Sequence, residues 1–388
     1  ERRTVFYAAL LHDAGAGLAS AETCRLLDLA EERMFCVEPT KSPQQVALEI
    51  APSNAASVVE TLRAHQPHGA HIARELGLDQ PVQDAISAHH ERWDGRGYSK
   101  ALKGDAIPIA SRLIAAADLI ESLISGETNA LAARRNLTSA LAEESGRSLE
   151  PALAERAAAL VRGDAFWLGL HSDDLCPELA AWCPDAQRSA GDLATFAAVF
   201  AKLADAKGEY TAGHGERTAE VAGWLAEQLG FDETHREQVR IAALLHDIGL
   251  LGVPARVIAK PDILSLGEME AMRQHPTHSQ TVLDELPGME EIAHWVGAHH
   301  ERPDGRGYPE MLEDETIPIE ARIIALADTY VALTSRRPYR KALSHENAEQ
   351  VLVGGAGTQL DTKLVQLLRA RWPQPTSSRT ARRSRRRR

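Results

Sequence analysis

The strongest constraint on this chain is an internal repeat. Residues Ala88–Leu123 align without gaps with Ala298–Leu333 at a constant offset of 210 residues, and both stretches contain AHHER followed by DGRGY. The same offset relates HQPHG, which begins at His65, to HPTHS, which begins at His275. Because this period has the length of a whole domain and far exceeds that of a solenoid repeat, the sequence predicts two tandem copies of one domain.

The spacing of apolar residues indicates the fold class. Ala, Leu, Glu and Arg recur at three- and four-residue spacing, and no stretch alternates with β-branched residues. This pattern predicts an all-α fold built as a helical bundle. In the second copy we expect helices over residues 193–206, 212–230, 234–247, 267–285, 288–300, 318–335, 345–354 and 361–371.

The repeat and the composition together predict the domain limits. We expect a first domain over residues 1–165 that lacks its N-terminal part, a connector over 166–191, a second domain over 192–372 and a disordered basic tail over 373–388. The tail accounts for seven arginines in the last ten residues, whereas the whole chain carries a formal charge of −12. An acidic body repels polyanions, so nucleic acid is an expected partner only for the tail, if at all.

Composition bears on the compartment. The sequence has no run of eighteen apolar residues and no N-terminal signal-peptide pattern, so we expect a soluble cytoplasmic protein without a membrane partner. The four cysteines form no CxxC motif and are expected to be reduced core residues.

A candidate metal site begins at His246 and Asp247, which close the apolar segment IAALLHDIG. Alone, such a pair is more often a histidine and a capping acid at a helix end. Further imidazoles, and a carboxylate in an apolar run, favour a metal site over this helix-end interpretation. Neutral imidazoles together with carboxylates suit iron, manganese, zinc or cobalt. These further residues are His214, His275, His299, His300 and Asp328.

The ordered motifs of the second copy resemble the HD-GYP branch of the HD-domain phosphohydrolases across Tyr210–Leu368. They read YTAGH, LLHDIG, HPTHS, HHERPDGRGYP, IPIEARIIALAD, TSRRPYRKA and GAGTQLDTKLV. The resemblance implies an HD-domain helical bundle and a phosphodiesterase that hydrolyses cyclic di-GMP to linear pGpG, to GMP or to both. It also implies a dinuclear site whose bridging water or hydroxide is the nucleophile.

The resemblance assigns residues to the two ions. His214, His246, Asp247 and Asp328 would hold one, His275, His299 and His300 the other, and Asp247 would bridge them as the central catalytic residue. Iron or manganese is the expected metal, with zinc, cobalt or nickel as alternatives. Tyr210 stands where a carboxylate for a third metal would be needed, so two ions are expected.

Substrate contacts are expected from the glycine-rich loop and from two arginines that follow Asp328. Glycines allow a close backbone approach to a ligand, and planar guanidinium groups suit bidentate binding of phosphate. The predicted contacts are Asp304, Gly305, Gly307, Tyr308, Arg337 and Arg340.

Two departures from the family pattern matter. Leu250 follows HDIG where the family usually has lysine, which predicts reduced turnover or binding without turnover. The first copy offers a degenerate second site at His12, Asp13, His65, His89, His90 and Asp118, with Ser99 in place of the GYP proline.

Three functional classes follow from these observations. Hydrolysis of cyclic di-GMP is the leading one. Leu250 and the degenerate first copy favour a second class, an impaired sensor that binds cyclic dinucleotides or signalling proteins, and a homodimer is an expected assembly. The third class is a phosphohydrolase that acts on another nucleotide.

Overall fold

The computed structural model describes residues 1–27, 41–98, 100–125, 130–170, 172, 174–181, 190–208, 211–336 and 341–371. Across these ranges the regular structure consists of α-helices and short 3₁₀ turns, without a β-strand. The predicted all-α fold is therefore confirmed. None of the described helices is long and apolar enough to span a membrane.

The chain folds into two compact units. Unit 1 comprises residues 1–209 together with 254–260, and unit 2 comprises 210–253 together with 261–388. The division into domains predicted from the repeat stays a prediction. The predicted disordered tail lies outside the described residues.

Unit 1 contains the helices of the first copy and two helices from the range predicted for the second copy, Ala190–Ala206 and Ala255–Ile258. Its described helices are α1 (Arg2–Leu11), α2 (Ala16–Leu27), α3 (Pro43–Ile50), α4 (Ala55–Glu75), α5 (Gln80–Ser87), α6 (Ile109–Ser125), α7 (Ala130–Glu143), α8 (Pro151–Arg162), α9 (Asp164–Leu170), α10 (Leu175–Ala180), α11 (Ala190–Ala206) and α14 (Ala255–Ile258). One core cluster joins α6, α7 and α8 through Leu119, Leu137, Leu141 and Val161.

Unit 2 carries the rest of the second copy. Its described helices are α12 (His214–Gln228), α13 (Glu233–Leu245), α15 (Leu266–Arg273), α16 (His275–Asp284), α17 (Glu290–Gly297), α18 (Ile319–Thr334), α19 (His345–Gly355) and α20 (Thr362–Arg371). Helix α12 packs against α13 and α18, and α16 packs against α17. The side chains of Leu225, Leu245 and Ile323 are fully buried, as burial of apolar area favours.

Side-chain caps explain where several of these helices begin. Asp232 accepts a hydrogen bond from the His235 amide at 2.9 Å and starts α13. Ser265 and Glu268 form a reciprocal capping box at the start of α15. Each cap satisfies an amide that has no partner within its own helix, so each fixes the residue at which the helix starts.

The predicted continuous helix over 267–285 is wrong, because the structure divides it at Gln274 into α15 and α16. Pro276 has no N–H and cannot donate to the carbonyl of Met272, the partner that a continuing helix would require. The His275 ring instead places its Nδ1 atom 2.7 Å from that carbonyl oxygen. The break therefore turns His275 toward the interior of unit 2.

Candidate metal centre

The His246-Asp247 pair lies where α13 ends and a 3₁₀ turn, Ile248–Gly252, begins. The turn approaches the start of α16 so closely that a Cβ atom on Gly249 would lie 2.1 Å from the His275 carbonyl oxygen. Only glycine fits there without a backbone shift. The requirement for glycine in HDIG is therefore steric.

Ser279 joins the same turn to α16. Its buried Oγ accepts a hydrogen bond from the Gly249 amide at 2.8 Å and donates one to the His246 carbonyl at 2.9 Å. These two bonds hold His246 and His275 in a fixed relation. Nothing in the sequence pointed to this role beyond the position of Ser279 four residues after His275.

The structure brings all seven predicted metal ligands of the second copy into one cluster. Three overlapping sets have ligand atoms within 4.8 Å of one another: His214, His246 and Asp328; His246, Asp247 and His299; and His275, His299 and His300. In chain order, these ligands lie at the start of α12, at the end of α13, at the start of α16, in the loop after α17 and in the middle of α18.

Asp247 lies between the two halves of this cluster. Its Oδ1 is 3.3 Å from His275 Nε2, and its Oδ2 is 3.3 Å from His246 Nε2. On the far side, His214 Nε2 is 3.0 Å from Asp328 Oδ1. One carboxylate thus presents a different oxygen to each half, which is the geometry of a bridging ligand.

The backbone sets the tautomers of three histidines. The Nδ1 atoms of His246, His275 and His299 lie 2.6–2.7 Å from the carbonyl oxygens of Ala243, Met272 and Val296. A carbonyl can only accept, so each Nδ1 donates and each neutral ring presents the lone pair of Nε2 to the cluster. Histidine ligands of metals commonly have this kind of outer partner.

Burial and charge act against each other at the two acids. Burial alone would raise the pKa of Asp247, but the adjacent His246 holds that pKa well below its ordinary value. The same balance lowers the pKa of Asp328 through His214. Both acids are therefore carboxylates at neutral pH, the form that a cation requires.

The histidines divide into two electrostatic classes. Burial, reinforced by neighbouring histidines, lowers the pKa of His299 well below its ordinary value and that of His300 to about 4, so both are neutral at pH 7. Burial also opposes the charged form of His246, but Asp247 raises its pKa to about 9. Metal binding at His246 would displace this proton.

These residues fit divalent metal ions. His275 Nε2 and His299 Nε2 lie 3.4 Å apart while each Nδ1 donates to a carbonyl, so with both rings neutral two lone pairs would face one another. His246 Nε2 is buried and has no hydrogen-bond partner of acceptable geometry, despite its distance of 3.3 Å from Asp247. A cation between these atoms would resolve both features.

The glycine-rich loop that follows is held by a buried acid. Glu301 accepts hydrogen bonds from the amides of Glu310 at 2.6 Å and Leu312 at 3.0 Å. Gly307 crosses so close to this acid that a Cβ atom there would lie 2.5 Å from the α-carbon of Glu301. Glu301 was not among the predicted site residues, although it directly follows the histidine pair, as Glu91 does in the first copy.

Two of the predicted contact residues organise the loop itself. Asp304 accepts two hydrogen bonds from the Arg302 guanidinium, from Nε at 3.0 Å and from Nη2 at 2.6 Å, and this pairing lowers the Asp304 pKa. Gly305 has φ +67°, and a side chain there would meet Glu313. Asp304 and Gly305 thus shape the loop that carries Tyr308.

Tyr308 lies beside the cluster, with its ring centroid 4.9 Å from that of His300. Both rings line a cavity of 420 Å³ whose wall also includes Asp328, Thr329 and Gln359. Thr329 and Gln359 were not predicted as site residues. Arg337 and Arg340 lie outside the described residues, so their predicted phosphate contacts stay predictions.

Comparison with known proteins identifies the family. The sequence matches the HD domain over residues 40–149 and again over 198–364. The chain belongs to the HD-domain family. It contains two HD regions, and the predicted tandem of HD-GYP type is confirmed.

Three relatives illustrate the similarity. The chain is 31% identical to 3′3′-cGAMP-specific phosphodiesterase 3 of Vibrio cholerae serotype O1, over 93% of this chain and 83% of that protein. It is 42% identical to the cyclic di-GMP phosphodiesterase response regulator RpfG of Xanthomonas campestris pv. campestris, over 40% and 42% of the two chains. A crystal structure of the cyclic GMP-AMP-specific phosphodiesterase V-cGAP3 of V. cholerae superposes with a TM-score of 0.58 at 25% identity, over 95% of each chain.

In the second HD region, Leu250 lies inside the 3₁₀ turn and is only 8% exposed. Its side chain carries no charge, and the position is closely packed. The departure from lysine is therefore a change in both charge and packing beside Asp247.

Unit 1 also gathers the predicted ligands of the first copy. Asp13, His65, His89 and His90 have ligand atoms within 4.8 Å of one another. His12 lies at the edge of this group, 3.4 Å from Asp118 Oδ1. All six residues of the predicted second site are thus neighbours within unit 1.

Proposed function

We propose that the second HD region is a metal-dependent phosphodiesterase that hydrolyses a cyclic dinucleotide, with cyclic di-GMP as the substrate and linear pGpG or GMP as the product. The observation that carries this proposal is the position of Asp247, whose two oxygens each lie 3.3 Å from a histidine of a different half of the cluster. A carboxylate in this position suits two ions a few ångströms apart.

The proposed ligands are the seven residues of the cluster, with the ions iron or manganese. Two bound cations would neutralise the phosphodiester and supply a hydroxide nucleophile at neutral pH. Seven side chains with one shared carboxylate leave open coordination positions, unlike the four-ligand shell of a structural site. This difference favours catalysis over a purely structural role.

The chain's own residues would bind and orient the substrate. Tyr308 offers an aromatic face beside His300, and burial raises its pKa, so the phenol stays protonated and can donate a hydrogen bond. Gln359 and Thr329 line the same cavity with groups that can bind a base or a ribose. Arg337 and Arg340 are proposed to bind phosphate oxygens.

The decisive experiment is metal analysis of anaerobically purified protein together with a hydrolysis assay on cyclic di-GMP in added manganese or ferrous iron. Two ions per chain that are lost in His299→Ala, together with linear product, support the proposal. Bound but intact dinucleotide would make the protein a sensor, as the leucine at position 250 also suggests. A metal-free protein would overturn the site.

A second substrate, 3′3′-cGAMP, is favoured by one observation. The relative that matches 93% of this chain, with both copies, carries the name of a 3′3′-cGAMP-specific enzyme, whereas the cyclic di-GMP relative at 42% identity matches only 40% of the chain. The two dinucleotides should be assayed side by side. A higher kcat/KM for 3′3′-cGAMP would replace cyclic di-GMP in the proposal.

Leu250→Lys is expected to raise kcat. A positioned cation at a phosphoryl site contributes up to about 10²–10³-fold, by analogy with the loss of one oxyanion donor. The measurement is kcat at saturating substrate and equal metal content. Leu250→Met, which keeps the volume without the charge, is the matched control. An unchanged kcat in the lysine variant would mean that another cation already fulfils this role.

Arg273 is a candidate for that other cation, because it lies beside Tyr308. Its guanidinium lies 5.4 Å from the centroid of the Tyr308 ring, and it forms no ion pair with the described residues. We expect Arg273→Ala to raise KM about tenfold, the size of one charge-assisted hydrogen bond, with metal content unchanged. Arg240→Ala, at a residue paired with Glu237 on α13, should leave KM unaffected. Equal KM values for the two variants would exclude Arg273 from substrate binding.

A further inference from the structure

We infer that Gln359 contacts the purine base of the nucleotide bound beside the metal cluster of unit 2, and that its side-chain amide admits adenine as well as guanine there. The inference rests on the hydrolysis of cyclic dinucleotides proposed above and names a residue that selects among them. The position of Gln359 in the cavity, its free amide and the fixed backbone of its loop support it.

Gln359 lies in the wall of the 420 Å³ cavity that also contains His299, His300 and Asp328. These three residues are proposed metal ligands, and metal ions bind a scissile phosphate directly, so the phosphate would lie at their side of the cavity. The base of the same nucleotide, separated from the phosphate by a ribose, would then contact lining residues that are not metal ligands. Gln359 is one of them, and its uncharged amide suits a base edge better than a phosphate.

Other polar side chains of this lining already have partners. Glu301 accepts two backbone amides, the Arg302 guanidinium donates to a carboxylate of its own loop, and the Thr329 hydroxyl donates to a backbone carbonyl one helical turn earlier. Gln359 is exposed, and its side chain forms no hydrogen bond within the described part of the chain. Its amide therefore offers a ligand one acceptor and one donor group, whereas the Tyr308 phenol offers a single oxygen.

The loop that carries Gln359 is fixed by its backbone. Three consecutive amides, those of residues 358–360, donate to the Gly355 carbonyl at 2.9–3.2 Å. The Leu360 side chain is only 3% exposed, and the Thr358 carbonyl accepts a hydrogen bond from the Asp304 amide at 3.1 Å. The loop is thereby joined to the glycine-rich loop. A contact residue on such a backbone costs less ordering entropy when a ligand binds.

The first copy has no equivalent amide. In unit 1 the Asp94 amide makes the same backbone bond, to the Arg147 carbonyl at 2.8 Å, so the next residue, Ser148, corresponds to Gln359. The Ser148 hydroxyl donates to Glu144 at 2.6 Å. A short side chain with its donor engaged cannot pair with a base edge as an amide does, so we assign the selection to unit 2 alone.

A primary amide pairs with either purine. Its oxygen accepts while its nitrogen donates, so it forms two hydrogen bonds with adenine and, after rotation of the amide, two with guanine. A glutamate at the same position can only accept. It pairs with the N1–H and N2–H₂ donors of guanine, whereas a ring nitrogen of adenine would face it with a lone pair. Gln359→Glu therefore distinguishes the two bases without a change in side-chain size.

The products of 3′3′-cGAMP hydrolysis report which base lies at Gln359. The water oxygen bonds to one of the two phosphorus atoms, the bond from that phosphorus to the 3′ oxygen breaks, and the 3′ oxygen leaves with a proton. Attack at one phosphorus gives linear pApG, and attack at the other gives pGpA. The ratio of the two products is an internal comparison, because both form in the same site with the same metal content.

We expect Gln359→Glu to change the pApG:pGpA ratio at least about tenfold, the discrimination typical of one bidentate base contact. Gln366→Glu is the matched control, because it makes the same change at an exposed glutamine on α20. It should leave the ratio at the wild-type value. An unchanged ratio in Gln359→Glu would overturn the inference.

Binding measurements separate this inference from the proposed hydrolysis. Phosphorothioate analogues of cyclic di-GMP and cyclic di-AMP resist hydrolysis and present the same base at both positions. Gln359→Glu should raise the Kd of the cyclic di-AMP analogue about tenfold more than that of the cyclic di-GMP analogue. A wild-type protein that binds both analogues but cleaves no dinucleotide would contradict the hydrolysis alone. Equal changes in the two Kd values, or a wild-type protein that fails to bind the cyclic di-AMP analogue, would overturn the role of Gln359.

Discussion

Replacing His299 with alanine is expected to remove metal from unit 2 and abolish hydrolysis together. His299 belongs to two of the three ligand sets of the cluster, so its loss affects both halves. Loss of an outer partner of a metal ligand typically costs about 10–100-fold in affinity or activity, and loss of the ligand itself should exceed this. Metal analysis and a hydrolysis assay on the same preparation measure both effects.

His294→Ala is the matched control, because His294 is exposed on α17, just before the histidine pair. It should retain both metal and activity. If His299→Ala retained the full metal content of unit 2, the ligand assignment would be wrong even if activity fell.

Gly249→Ala is expected to have the second largest effect. The added methyl group would meet the His275 carbonyl oxygen at 2.1 Å and the Ser279 amide nitrogen at 2.7 Å, and both are backbone atoms. Overpacking of this kind costs about 1–3 kcal/mol or more in the free energy of unfolding. The shift would also separate His246 and Asp247 from His275. We therefore expect a lower Tm and a loss of metal from unit 2.

Gly252→Ala provides the comparison within the same 3₁₀ turn. A Cβ atom there would have its nearest neighbour at 3.4 Å, the Nδ1 of His278, which is an ordinary contact. Tm and metal content should stay at wild-type values. A Gly249→Ala protein with wild-type Tm and metal content would show that the turn can move without consequence.

The all-α architecture could be predicted because helical periodicity is a local property of the sequence. The break at Gln274 could not, since apolar spacing continues through it. The break depends on Pro276, which cannot donate to the Met272 carbonyl, and on the His275 ring, which donates to that carbonyl instead. In unit 1 the equivalent proline is one residue later, at Pro67, and α4 continues through it.

The ligands could be proposed from the sequence because motif order identifies them without knowledge of distances. The residues that hold them in place could not be proposed in this way. Ser279 acts through an amide thirty residues earlier, and Glu301 acts on amides nine and eleven residues later. Such pairings arise only when helices are packed. The same holds for unit 1, where the motifs suggested a degenerate site and the side chains form a compact four-donor group.

The contacts between histidine rings and carbonyls three residues earlier orient the donor atoms of both units. In both units these acceptors belong to single helical turns: Ala9, Leu62, Ile86, Ala243, Met272 and Val296. Each ring is therefore oriented by its own helical turn before a metal ion binds. The side chains need little reorganisation on metal binding. Either copy can accordingly keep its donor atoms in position for as long as its helices keep their ends.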